Sequence, residues 1–244
     1  MTTPTLRPSP AVQTEPRTGR LVPPALIALS VVPLVAGTLR LVEVAGGPAL
    51  MPENPRVAAS PLPVAVHVLA AAVYALVGAF QFPRRFRNRH RTWHRRAGRV
   101  LAVAGLLVAG SGLWMTLFYA DAPGGPVLWT VRIVVSSTMG AAVVLGFVAI
   151  RRRDVRRHRA WMIRAYALGL GAGTQVLTQG LGEAVFGTTD LTTALSVSAG
   201  WLVNAAIAEW VIRLRRIRRG VSYSASSAAC RNTTDPSADV SEGR

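Results

Sequence analysis

The apolar parts of this chain hold few side chains able to carry charge, move a proton or bind a metal. Six stand out: His67, Arg132, Gln175, Gln179, Asn204 and Glu209. Each falls inside a long apolar run, where an ionisable or amide side chain is costly unless it has a partner or a job. Gln175 and Gln179 are one helical turn apart, with Thr174 and Thr178 beside them. That spacing makes a polar stripe on a helix otherwise built of Gly, Ala and Leu, and it turns that helix toward a bundle interior. Gly169, Gly171 and Gly173 would let a neighbouring helix approach closely. Glu209 precedes Arg213 by four residues, the favourable order for a local ion pair. Asn204 lies deeper and needs an interhelical hydrogen bond. Arg132 either snorkels outward or pairs with Glu183 or Glu43. His67 is either an interfacial histidine or a ligand or proton carrier open to the outer face. Together the six outline a polar pathway in a small transporter-like or lipid-interacting bundle.

A second constellation offers different chemistry. His94 opens one apolar helix in HRTWHRRAGRV, and His158 precedes another in RRRDVRRHRAWMIRAY. Both helices run in the same direction, so the two imidazoles sit at similar depth, as axial ligands of a membrane haem b do. A redox protein with His94 and His158 as haem ligands is therefore the alternative, set against a plain reading of both as parts of basic belts. The surrounding arginines repel a simple divalent cation, and no other metal site is expected. His67 is ~22 Å of helix from Phe82 and cannot share a metal with the inner histidines.

The elements that position these groups follow from segregation of apolarity and charge. Hydrophobic residues make up 50% of 244 residues and charged ones 16%, yet the net charge is +17, and all 28 basic residues are Arg. High hydropathy and high charge coexist only if kept apart, which disfavours a soluble globule or a disordered chain. Six apolar runs approach the ~20 residues needed to cross ~30 Å of hydrocarbon: 21–41, 62–82, 99–119, 126–150, 161–182 and 193–212. The expected fold is all-α: a polytopic six-helix membrane bundle over 20–219, with disordered tails at 1–19 and 220–244. Segment 83–99 holds eight Arg, 151–164 seven, and 213–219 five, whereas the alternate loops are neutral or acidic. The positive-inside rule then puts both termini in the cytoplasm and the chain in the plasma membrane. Arg84, Arg85, Arg95, Arg96, Arg99, Arg151, Arg152, Arg156, Arg157 and Arg164 are the expected contacts to anionic headgroups, at about 1 kcal/mol each. Nucleic acid is not an expected partner, because the charge is split among three short segments tied to the membrane.

No P-loop, dinucleotide fingerprint, HExxH or nucleophile elbow is present, so no enzyme is indicated. One cysteine, Cys230, excludes a disulfide framework. Several blocks arrive in order: GAFQFPRRFRNRHRTWHRRAGRV, AIRRRDVRRHRAWMIRAYAL and WLVNAAIAEWVIR. With them the chain resembles the bacterial multi-pass membrane family catalogued as domain of unknown function 2306, over roughly Leu62 to Arg213. The matching residues are Gln81–Phe82, His94–Arg95, Gly98–Arg99, His158, Trp161–Met162, Arg164, Asn204 and Glu209–Trp210. The resemblance implies a membrane fold and no particular activity. Many members of that family have Arg about a dozen residues after the position of Arg164; this chain has Val176 there.

Overall fold

A computed structural model describes residues 18–120 and 123–232, with side chains placed for 21–83, 85–120 and 123–214. All regular structure in it is helical: α1 (Thr18–Val44), α2 (Pro55–Ala59), α3 (Pro61–Ala79), α4 (Arg84–Arg89), α5 (Arg91–Phe118), α6 (Gly125–Arg151), α7 (Val155–Gly169), α8 (Gly171–Phe186) and α9 (Asp190–Asn232). Five of these are long and apolar enough to cross a membrane: α1, α3, α5, α6 and the Asp190–Leu214 part of α9. Residues 1–17 and 233–244 lie outside the described residues, as do the side chains of the tail begun at Gly220. α9 itself continues to Asn232, past the point where the sequence suggested disorder.

The expected span at 161–182 is not one helix. Two helices of 15 and 16 residues, α7 and α8, meet at Leu170, whose backbone (φ −83, ψ 3) steps out of the helical ladder. Neither half alone reaches the ~20 residues a crossing needs. The sequence permits the break locally: glycine has the weakest helix propensity after proline, and it recurs at 169, 171 and 173. The neighbours then occupy the space that side chains would have filled. A Cβ on Gly169 would stand 2.8 Å from the Tyr74 ring; on Gly171 it would collide with the Trp201 indole.

α1 stays continuous through Pro33. Proline has no N–H to offer the carbonyl four residues back, which here is Leu29. That carbonyl faces α8, where a Cβ on Gly173 would strike it. The two features fit each other: a proline frees a carbonyl, and a glycine lets α8 lie against it.

The main core joins α3, α5 and α7. Ala70, Tyr74, Ala75, Leu101, Ala104, Val108, Ala109 and Tyr166 are buried together with Met139 of α6. The Tyr74 and Tyr166 rings are 5.6 Å apart, and the Tyr166 hydroxyl donates to the Ala75 carbonyl at 2.7 Å. Alanine and glycine dominate because, with lipid as the alternative, helices associate through close backbone approach rather than through hydrophobic burial.

Candidate functional site

Asp154 starts the segment that carries most of the site. Its carboxylate accepts from the Arg157 amide at 2.9 Å and so caps α7. Ten residues on, Arg164 extends from α7 to Glu209 of α9. The contact is two-pronged, Nε to Oε1 at 2.5 Å and Nη2 to Oε2 at 3.0 Å, with the guanidinium 4.8 Å from the centre of the Trp161 ring. The pair is partly exposed, 29% for Arg164 and 39% for Glu209. Two expectations change here. The sequence pointed Glu209 along its own helix to Arg213; the structure pairs it across the bundle with Arg164. Arg164, for its part, is engaged with a carboxylate rather than free for headgroups. A cation and an anion, each at the basic end of an apolar helix, were the signal available for this pairing.

Above that pair lies the break. In an unbroken helix the Ala167 carbonyl would take the Gly171 amide; instead it accepts from Asn204 Nδ2 at 3.0 Å. Asn204 Oδ1 in turn accepts from the Thr174 hydroxyl at 2.8 Å. These two bonds fix the amide orientation, because only the NH₂ can donate to a carbonyl. Asn204 is buried (7% exposed), so both bonds are needed to offset its desolvation. One turn further out, Gln175 Nε2 donates to the Val197 carbonyl at 3.3 Å, and Gln179 Nε2 to Glu183 Oε1 at 2.7 Å. The fold thus gathers Gln175, Asn204 and Glu209 into one polar seam of α7 and α8 against α9, and adds Thr174 and Arg164; Gln179 bonds to Glu183 one turn along its own helix.

Two of the six pathway candidates lie elsewhere. His67 sits between α3 and α5, with Nδ1 3.0 Å from Ser111 Oγ. Ser111 donates its own proton to the Leu107 carbonyl, so His67 Nδ1 is the donor and Nε2 keeps its lone pair. Arg132 turns outward, its guanidinium 3.4 Å from the Pro123 carbonyl in the loop before α6.

His94 lies in the first turn of α5 and His158 in the first turn of α7, near enough for the charge of one to bear on the other. His158 Nδ1 donates to the Gly146 carbonyl at 2.8 Å, which leaves its Nε2 as a lone pair. Among the described residues, His94 Nδ1 and Gln81 Nε2 are buried atoms without a hydrogen-bond partner. Of the expected headgroup contacts, Arg85, Arg95, Arg96, Arg99, Arg151, Arg152, Arg156 and Arg157 are exposed; the Arg84 side chain is outside the described residues.

Residues 64–212 match the model of the family described as predicted membrane protein (DUF2306). The chain belongs to this family. It is a multi-pass, membrane-embedded protein, and the matched range contains the Arg164–Glu209 pair, Asn204 at the break, and His94 and His158. No curated protein and no solved structure matches the chain.

Proposed function

We propose that the protein is a small transporter-like bundle. In this reading α7 and α8 together make a sixth, discontinuous span, both termini face the cytoplasm, and the seam shared with α9 is the pathway. The carrying observation is the helix break at Leu170 with Asn204 holding the released Ala167 carbonyl. Irregular backbone at membrane depth is tolerated only where protein or a water-filled cavity surrounds it, and broken helices are where transporters place their sites. The polar groups of that seam, Arg164, Glu209, Asn204, Thr174 and Gln175, supply a graded course into the core. The arginine-rich segments on one side support the orientation and residence in the plasma membrane.

The test needs no known solute. In a Cys230→Ser background, single cysteines replace Thr174, Thr178 and Gly180, and membranes are treated with an impermeant thiol reagent from either side. Modification at Thr174→Cys and Thr178→Cys, protected by prior treatment with a small permeant thiol reagent, is the expected result. Inertness at both, with a cysteine at the loop residue Gly187 reacting, would show the seam to be closed packing.

One observation favours a second reading, haem b on His94 and His158. The Nδ1–carbonyl bond of His158 is the orientation metal-ligating histidines use, presenting Nε2 to the metal. A Soret band in purified protein, lost in His158→Ala, would establish it and displace the transporter reading.

A further inference from the structure

The side of α3 and α5 turned away from the polar seam carries a different feature. A groove of about 610 Å³ runs between the two helices. Its floor is Ala70 and Ala104, both buried, and its walls include Leu69, Val103 and Leu107, which are 60%, 60% and 47% exposed. The shape has a simple origin: small residues at the helix contact, branched ones on either side. The groove is apolar along its length except at one end, where Arg99 lines it. Arg99 is exposed, and no carboxylate among the described residues pairs with it.

We propose that this groove holds one acyl chain of an anionic phospholipid, with the lipid phosphate on Arg99. Length and charge both support that occupant. From Arg99 to Leu107 the α5 rise is ~12 Å, most of the ~15 Å depth of one leaflet's hydrocarbon. Arg99 lies at the basic end of α5, next in line after Arg91, Arg95 and Arg96, where the headgroups of that leaflet lie. A guanidinium binds phosphate with two parallel hydrogen bonds, which a zwitterionic headgroup's positive end would oppose. The apolar wall takes the chain and the arginine selects the headgroup. A second copy of this chain would bring its own arginines to the same end and meet Arg99 with like charge. The proposal is independent of what the α7–α8–α9 seam conducts.

The experiment uses the full chain in detergent with phosphatidylglycerol carrying a photoactivatable diazirine on one acyl chain, and maps cross-links by peptide mass spectrometry. Cross-links concentrate in 66–73 and 100–107, and unlabelled phosphatidylglycerol competes while phosphatidylcholine does not. Arg99→Gln lowers them about five-fold, the value of one headgroup-facing arginine. Ala104→Phe fills the floor and abolishes them; because Arg99→Gln changes only an exposed side chain, it carries the decision if Ala104→Phe fails to fold. Four results would overturn the proposal: cross-links spread evenly round the bundle, equal labelling by a phosphatidylcholine probe, no change in Arg99→Gln, or protein–protein cross-links across the groove from a second copy.

Discussion

The α3–α5 seam and the α8–α9 seam are both packed helix pairs, and they are held together in opposite ways. Between α3 and α5 the contact is mostly alanine with Leu101 and Val108, with Gly105 admitting the Tyr74 ring and one described polar pair, His67–Ser111. Between α8 and α9 the contact is a run of directional bonds: Gln175 to Val197, Thr174 to Asn204, and, through α7, Asn204 to Ala167 and Arg164 to Glu209. In lipid, an apolar seam is stabilised by close packing alone and tolerates sliding. A polar seam allows one register, because any shift strands its donors in hydrocarbon. The first kind of seam suits a scaffold and a lipid-facing groove. The second suits an element that must stay broken at one defined residue.

The largest test of that contrast removes a charge from the polar seam. Glu209→Gln leaves Arg164 without its carboxylate. A fully buried broken pair costs ~3–5 kcal/mol; partial exposure of both partners brings the expectation to about 2 kcal/mol. The thermal midpoint in detergent should fall clearly, and the exchange Arg164→Glu with Glu209→Arg should restore at least half of the loss. An unchanged midpoint in Glu209→Gln would mean that the inner end of this seam is held by something else.

Next in size is Gly171→Ala. The added methyl meets the Trp201 indole, a rigid ring that cannot withdraw as a flexible chain end would. Overpacking of this kind costs ~1–3 kcal/mol. The control is Gly110→Ala on α5, where a Cβ has open space and the gain in helix propensity leaves stability level or slightly raised. Equal behaviour of the two variants would erase the distinction between a helix that is broken around a neighbour and one that is merely glycine-rich.

Asn204→Leu removes both bonds at the break and leaves the Ala167 carbonyl without its donor, at about 1–2 kcal/mol. Thr174→Val takes away only one bond, at ~0.6 kcal/mol, the average for interhelical bonds in membranes. Hydrogen exchange at the Gly171–Thr174 amides should rise in Asn204→Leu and stay near wild type in Thr174→Val. The reverse order would show that Thr174, and not Asn204, holds the break.

Much of the fold was written in hydropathy. Runs of about twenty apolar residues bounded by arginine can do little in water, so the ranges of α1, α3, α5, α6 and the membrane part of α9 were close to legible. The break at Leu170 was not. Gly169, Gly171 and Gly173 show that close approach is possible, but a glycine run reads equally as a flexible continuous helix. What interrupts it is Trp201 filling the space and Asn204 taking the carbonyl, and both lie about thirty residues further along the chain. The partner of Glu209 was missed for a related reason: Arg213 on the same helix satisfies a local rule, while Arg164 becomes a neighbour only once α7 packs on α9. His67 and Arg132 share a depth pattern with the seam residues but not a helix face. Depth can be counted along a sequence; which face meets which neighbour is a property of the assembled bundle.

The smallest effect is expected from the lone polar pair of the apolar seam, and it sharpens the comparison because the chemistry resembles that at Asn204. Ser111 has a hydroxyl already committed to the Leu107 carbonyl of its own helix. In Ser111→Ala that carbonyl keeps its helical amide, and His67 loses one acceptor. The expected loss is about 0.6 kcal/mol or less. His67→Phe, which removes the imidazole, keeps a ring in its place and leaves Ser111 bonded to the Leu107 carbonyl, should cost no more than Ser111→Ala. If His67→Phe instead lowered the midpoint as far as Asn204→Leu does, the α3–α5 seam would also be register-locked by a polar contact. The division between a sliding and a locked seam would then fail.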